Sequence, residues 1–545
     1  MSSPRHMLPL ADHEKYREKI RDTLDGNLVL PHSIEAGDPY YIGDVYDTTP
    51  AECVQEWELC DNIKRPYLDH IKAVSHAWPH LRYLAHWMEV TTSPVKWSHI
   101  KAKQAVIRKE RASRTNVAVV DFAPGAAPAI HTATSPDALS NSLQNAPVQP
   151  DVHRLYVVED LSRDVVETLG AALDIDPLFF REQISDYWWY NTRDPWVELP
   201  DLQVASRRRR FFHVGYLQPR HFDSQASFAE ATKEAGRFNV LRRADNDKNH
   251  KTLLDQQGAL VALVRSKASF WWKPAEGDRG AIGVLLVDPS VKEGSPLWAG
   301  YRNFEPTPSI SARGPFKAPP RTSLFEAVVY WVTRMEGAEV AQMGADPRIM
   351  LRGLSQIVCA EWLTVIRYIT TRLGQVEWEL ENPDFRRDPS GINSSLAKLH
   401  PWRRSVPLYK TLIKEATAKV FNSSNGPLSE YTLSLKEDYR VVEEGIDTLL
   451  QRIERIVAVA TAIISIEESR RGYSLNQDLG RLTYLAVVFA PLSFVTGFFS
   501  MSEDVSSLRG TYWVYFCVAL PVTVLAFVLV DMARVKRWAR RWSST

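Results

Sequence analysis

Cysteine is scarce and unpatterned. The 545-residue chain holds four, Cys53, Cys60, Cys359 and Cys517, with no CxxC spacing, so neither a disulfide framework nor a thiolate zinc site is expected. A reducing, cytosolic setting fits that usage. Charge of one sign is also missing: 66 Lys+Arg stand against 65 Asp+Glu, a net +1, and no global field draws the chain to nucleic acid or to an acidic partner. No GxxxxGK loop, GxSxG elbow or triad spacing occurs, so the sequence does not read as an enzyme. The opening residues, MSSPRHMLPLADHEKYREK, offer no apolar core for a signal peptide and carry acidic residues that a transit peptide avoids.

Long apolar runs, in contrast, are present, and both lie near the C-terminus. Leu482–Met501 reads LTYLAVVFAPLSFVTGFFSM, twenty residues without a charge, which as a helix spans a hydrocarbon core of about 30 Å. A second uncharged run, Tyr512 to Val530, ends at Asp531 and places Tyr512, Trp513 and Tyr515 where an interfacial aromatic belt sits. The ten-residue link Ser502–Thr511 suffices to turn an antiparallel helix pair. Arg470, Arg471 and Arg481 precede the hairpin, and Arg534, Lys536, Arg537, Arg540 and Arg541 follow it. Positive flanks on the inside predict both termini in the cytosol.

The fold class expected is an α+β membrane protein: a mixed α/β cytosolic domain, a long helical stalk and two C-terminal transmembrane helices. Residues 1–107 form an N-terminal cytosolic region, and 108–150, biased to Ala, Pro and Ser, read as a disordered insertion or linker. Over 151–322 an α/β domain is expected. HRLYVVEDL (153–161), FFHVGYL (211–217), FNVLRR (238–243), ALVALVRSKASFWW (259–272) and AIGVLLVD (281–288) are its candidate strands. Ser162 is placed to cap a helix carrying Val165, Val166, Leu169 and Leu173, and Asp176 with Pro177 starts another. Residues 323–480 read as the helical stalk, with long helices at 347–381 and from Ser429; 481–533 form the transmembrane pair and 534–545 a basic cytosolic tail.

Val442, Ile446, Leu449, Ile453, Ile456, Ala460 and Ile463 alternate steps of four and three, a heptad seam. That spacing serves self-association in a coiled coil and packing within one chain equally well. Similar steps resume at Leu479, Leu482, Ala486, Ala490, Ser493, Gly497 and Ser500, so one helix on the order of 100 Å is expected to run into the membrane span, with a bend possible at Gly472.

The stretch NQDLGRLTYLAVVFAPLSFVTGFFSMS (476–502) resembles the first transmembrane helix and filter of the CorA magnesium-channel superfamily, through Asn476, Leu479, Leu482, Thr483, Phe489, Pro491, Leu492, Phe494, Gly497 and Phe499. VVEDLS, the 259–272 strand and LLVDP resemble its fungal branch. The resemblance implies a homopentamer with an αβα cytosolic domain and a pore lined by the first span, at Asn476, Leu479, Leu482, Ala486, Ala490, Ser493 and Gly497. It implies no cofactor; Mg2+ or another divalent cation is the transported ion, and the partners are further copies of the chain and the lipid bilayer, with the plasma membrane as the expected location. Similar basic residues surround the cytoplasmic end of the family's pore, which gives Arg534, Lys536, Arg537, Arg540 and Arg541 that place.

One position departs from the family. Where the resemblance calls for Gly-Met-Asn at the outer mouth, the chain has Ser500, Met501 and Ser502. A ring of Asn carbonyls holds a hydrated Mg2+ through its outer shell, and serine hydroxyls reach less far toward the axis. Glu503 and Asp504 beside the filter can concentrate divalent cations or form an ordinary solvated loop. Three readings stay open: a passive divalent-cation channel, a non-conducting membrane scaffold that kept the fold and lost the filter, and a zinc or proton-linked transporter of the ZntB-like kind.

Three further constellations remain. His70, His76, His80 and His86 include an i, i+4 pair, but Pro79 disrupts its helical geometry and no third ligand accompanies it, so packing or surface histidines are expected. Arg207–Arg210 reads as a solvated strand entry. RVKRWARRW, five cations with two tryptophans, suits anionic headgroups.

Overall fold

The computed structural model describes residues 63–90, 105–147, 149–185, 202–240, 242, 244–247, 258–302, 304–311, 314, 318–382, 389–422, 428–501, 513–526 and 528. These fall into two compact units, one of residues 1–379 and 397–454 and the other of 380–396 and 455–545.

The larger unit opens with helices α1 (Pro66–Val74), α2 (Arg82–Val90) and α3 (Ala105–Ser113), then β1 (Val117–Phe122), β2 (Ala129–Ala133), α4 (Pro136–Gln144), β3 (His153–Glu159), α5 (Arg163–Leu173) and α6 (Pro177–Ile184). It continues through β4 (Phe211–Phe222), α7 (Gln225–Ala235), β5 (Ala244–Asp247), β6 (Leu260–Lys273), β7 (Ile282–Val287) and β8 (Ser295–Pro296) to α8 (Leu324–Val332), α9 (Gly337–Gln342) and the long helices α10 (Arg352–Glu381), α11 (Pro389–Val420) and α12 (Glu430–Phe499). The strands form one sheet in the order β2-β1-β3-β7-β6-β4-β8, with β5 beside the first half of β6. Among the described strands only β3 and β7 pair in parallel. In β6 every side chain but Val264 and Lys273 is buried, the continuous burial of a strand covered on both faces.

Local signals act where expected. The Ser162 hydroxyl accepts from Val165 N and starts α5, and the Asp176 carboxylate accepts from Leu178 N and starts α6. Gly170 admits α1: a Cβ there would lie 2.4 Å from the Tyr67 ring, whose hydroxyl donates to Ile175 O at 2.5 Å. Val165, Val166 and Leu169 join Tyr67, Trp87, Phe179 and Phe180 in the core on that side of the sheet.

Two expectations fail. The stretch 108–150 is no disordered linker: β1 lies between β2 and β3, with Val117, Val119, Val120 and Phe122 at 1% exposure or less, and Ser135 caps α4 through Ala138 N. The α/β unit therefore begins well before residue 151. Nor is FNVLRR a strand over its described positions. Asn239 N donates to Asp160 Oδ1 at 2.8 Å, and buried Arg242 donates Nε to Asp288 Oδ2 at 2.7 Å, so side-chain carboxylates anchor the segment that a ladder was expected to hold; the strand there, β5, starts at Ala244.

Within the larger unit α10, the part of α11 from 397 and α12 to 454 pack as a three-helix bundle. Trp362 and Tyr409 meet at 5.7 Å between ring centroids, Arg403 Nε donates to Glu454 Oε1 at 2.9 Å, and Lys410 pairs with Asp447. Leu399, Trp402, Val406, Tyr409, Ile413, Ala416 and Val420 of α11 are buried at steps of three and four, the spacing that interlocks with Val442, Ile446, Leu449 and Ile453, also buried. Of the two uses left open for that seam, the structure shows packing within one chain for these four residues.

Candidate functional site

In the smaller unit α12 continues without a break past Gly472 to Phe499, 70 residues from its start at Glu430. Gly472 does not interrupt the helix, because a glycine weakens a helix interior by only about 1 kcal/mol. Pro491 lies inside the helix. A second apolar helix, α13 (Trp513–Ala526), follows. Its described length falls short of a full span, and the remainder of the 512–530 run lies outside the described residues apart from Val528.

The two helices touch along one face of α12. Val495 is 5% exposed and Tyr484, Val488, Pro491 and Leu492 are half-buried; Thr496 Oγ1 and Tyr515 OH lie 3.0 Å apart, and Ala519 of α13 is buried. At about 100° per residue, the expected pore residues Leu479, Leu482, Ala486, Ala490, Ser493 and Gly497 fall on the opposite face, all exposed, with Ser500 continuing their line and Asn476 at its edge. That stripe is rich in small and polar groups. Leu485, Phe489, Phe494 and Phe498, exposed on its flanks, supply the bulk that lipid accepts.

At the end of the stripe Ser500 and Met501 leave the helix in a turn, with Ser500 N donating to Thr496 O at 3.0 Å and Met501 82% exposed. Ser502, Glu503, Asp504, Arg534, Lys536, Arg537, Arg540 and Arg541 lie outside the described residues. No group of three or more His, Cys, Asp or Glu side chains among the described residues could hold a metal ion. The His76/His80 pair is not on one helix face: α1 ends at Val74 and Pro79 opens a separate 3-10 turn, Pro79–Leu81. Arg207, Arg208 and Arg210 are exposed at the entry to β4, as expected.

A second helix, Pro347–Glu381, is long and apolar enough to cross a membrane, but 67% of its apolar window is buried, against 6% for the window in α12. Burial by protein marks α10 as a bundle core helix; the window in α12 has no such cover. That contrast was not legible in hydropathy, since both helices pass the same compositional test.

Residues 339–537 match the family model described as CorA-like Mg2+ transporter protein. This segment is a CorA-like domain. It takes in α10 to α13 and therefore both the bundle and the exposed stripe. No curated protein matches the chain. Solved structures similar to it include the complete structure of the CorA magnesium transporter from Methanocaldococcus jannaschii, at 9% identity over 75% of this chain and 96% of that one, TM-score 0.34. Another is the full-length CmaX protein, at 12% identity over 77% and 98%, TM-score 0.35. The sheet, residues 117–296, lies outside the match, which begins at Glu339 on α9.

Proposed function

We propose that the chain is a passive conduit for a divalent cation of the Mg2+ class, several copies placing the 476–502 stripe around a common axis in a membrane. The observation that carries this reading is the position of the stripe. It faces away from α13, the helix that packs on this stretch of α12 among the described residues, and small or polar residues such as Ala486, Ala490, Ser493 and Gly497 have no reason to face lipid. Around an axis, Leu479, Leu482 and Ala490 form apolar constrictions able to gate by dewetting, and Asn476, Ser493 and Ser502 form polar rings for a hydrated ion. Five copies is the number the family resemblance implies. Both termini lie on the cytosolic side, with Arg534, Lys536, Arg537, Arg540 and Arg541 at the inner headgroups and Glu503 and Asp504 at the outer mouth.

The test is flux. Purified protein in liposomes loaded with a Mg2+-sensitive or Zn2+-sensitive dye should admit ion down its gradient with no energy source, and a monodisperse monomer by light scattering in mild detergent would remove the shared axis. The second reading is a non-conducting membrane scaffold, favoured by Ser-Met-Ser in place of Gly-Met-Asn; it expects an oligomer without flux.

A further inference from the structure

We propose that Thr307 is a phosphoryl-acceptor site for a proline-directed protein kinase and that Arg334 receives the phosphate. The inference rests on the reading that the sheet unit lies in the cytosol, where ATP and kinases are. A kinase cleft takes an accessible, extended peptide. Pro308 restrains Thr307 to extended backbone by excluding the helical region for the residue before it. Residues 305–311 are all exposed, and no backbone hydrogen bond holds them among the described residues. The segment can therefore enter a cleft without breaking a ladder.

Its approach is nevertheless fixed. Just before it, Arg302 pairs with Glu361 of α10 at 11% side-chain exposure on each partner, and Phe304 meets Trp331 of α8 at 5.1 Å, edge to face. Beyond it, Ser323 caps α8 through Glu326 N. Among the described residues Ser135 and Ser295 are also followed by proline, but the Ser135 hydroxyl accepts from Ala138 N at 3.2 Å as the cap of α4, and Ser295 is held in β8 opposite His221 of β4; Ser3, Thr49 and Ser93, which precede proline too, lie outside the described residues. Ser309 and Ser311, hydrogen-bonded to each other at 2.7 Å, precede Ile310 and Ala312 and lack the proline.

The receiver stands two residues away. Arg334 donates to Glu305 Oε2 at 3.2 Å and Oε1 at 3.4 Å, and its guanidinium lies 4.3 Å over the Tyr330 ring. Two residues of extended chain cover at most about 7 Å, within reach of an arginine. In the transfer the Thr307 oxygen bonds to the γ-phosphorus of ATP, the bond to the bridging oxygen breaks, ADP leaves, and the hydroxyl proton passes to the kinase's catalytic carboxylate. The product carries a charge of about −1.5 to −2 and three acceptor oxygens, against the single charge of Glu305, so the guanidinium turns from Glu305 to the phosphate.

The experiment treats full-length protein in lipid nanodiscs, which leave both sides accessible, with a purified MAP-type kinase and ATP, and maps the product by peptide mass spectrometry. In the peptide that holds Thr307 one phosphate is expected, on Thr307, abolished in Thr307→Val, reduced at least tenfold in Pro308→Ala and unchanged in Ser309→Ala. Incorporation at Ser309 or Ser311 instead, or equal incorporation in Pro308→Ala, overturns the site. In the phosphorylated protein Arg334→Gln should move the 31P titration midpoint of phosphothreonine to higher pH, and an unmoved midpoint overturns the role of Arg334. Protein recovered from its own cells should carry the same phosphopeptide. Phosphorylation in nanodiscs with none in cells overturns the physiological site and points to the topology, whereas liposome flux tests the conduit independently.

Discussion

Asp346 and Thr432, far apart in sequence, are joined by a hydrogen bond from Thr432 Oγ1 to Asp346 Oδ2 at 3.3 Å. The same carboxylate accepts Ser429 N at 3.4 Å and, through Oδ1, Arg348 Nε at 2.6 Å. One buried side chain thus starts the turn leading into α10 and holds the beginning of α12, with Ser429 itself accepting from Thr432 N at 3.1 Å. Asp346→Ala leaves Arg348, 4% exposed, without that carboxylate, and the expected loss is about 3 kcal/mol. Asp346→Asn keeps the acceptor oxygen and should lose about half as much. Urea unfolding of the detergent-solubilised protein followed by far-ultraviolet dichroism measures both.

Acid should weaken the sheet unit through His153. The ring is buried beside β7, its Nδ1 accepting from Ala281 N at 3.0 Å, and burial lowers its pKa from the ordinary 6.5, with Asp151 opposing. A histidine with a depressed folded pKa takes up protons more readily when unfolded, so its contribution is present above about 6.5 and is lost as pH falls below that value. Asp160, Glu159 and Glu167 act in the opposite sense: burial raises all three, so protonation in the folded state favours folding once the pH drops into the carboxylate range. The expected profile of melting temperature is a decline from pH 7 toward 5.5, flattened in His153→Gln. A variant that declines as steeply as the parent would assign the loss to another group.

Cys359 should be inert while the bundle is folded. It is buried on α10, and burial pushes its thiol up to about 12, which leaves almost no thiolate at neutral pH. Iodoacetamide should label it at least a hundredfold more slowly in native protein than in 8 M urea, as read from peptide masses.

The heptad spacing of α12 was legible in the sequence, but its use was not. Val442 to Ile453 and Leu479 to Gly497 carry the same steps of three and four; what separates them is the partner, since α11 supplies Trp402, Val406 and Tyr409 against the first group and α13 covers the far side of the second. A repeat states which residues share a face, never what lies against that face. The missed β1 has a different cause: VAVVDF is a strand signal diluted by the Ala/Pro/Ser-rich residues that follow it. Conversely FNVLRR resembles a strand through its aromatic and β-branched residues, Phe238 and Val240, whereas Arg242 is buried on Asp288. The caps at Ser162 and Asp176 were read correctly because capping is settled within three residues of chain.

That difference in partner gives a direct contrast. Leu449→Asn places an amide in the bundle core, where burial without a partner costs several kcal/mol with the lost packing, and should yield protein that fails to fold or melts far below the parent. Leu482→Asn changes a residue 63% exposed in the isolated chain and should leave the melting of the larger unit within about 2 °C of the parent. Its effect is expected in flux, since a polar ring replaces an apolar constriction. Loss of folding in both variants would mean that the second stripe, too, is a core.

The filter positions decide between the conduit and the scaffold. Ser500 sits at the turn that ends α12, and Ser502 follows Met501 at the place where the family resemblance calls for asparagine. Ser500→Gly combined with Ser502→Asn restores Gly-Met-Asn: glycine lets the backbone turn and approach at the mouth, and asparagine carries a carbonyl dipole about one bond further toward a hydrated ion. Mg2+ arrives with its water shell and sheds it reluctantly, so a longer acceptor that bonds to those waters should raise dye-reported flux severalfold over the parent. Ser502→Ala should lower any parental flux, because it removes the polar group and leaves the apolar Met501 side chain at the entrance. The scaffold reading expects parent, double variant and alanine variant to be indistinguishable. With each confirmed as a folded oligomer by light scattering, equal flux in all three would exclude the conduit, while an ordered series, double variant above parent above alanine, would place the ion beside these two serines.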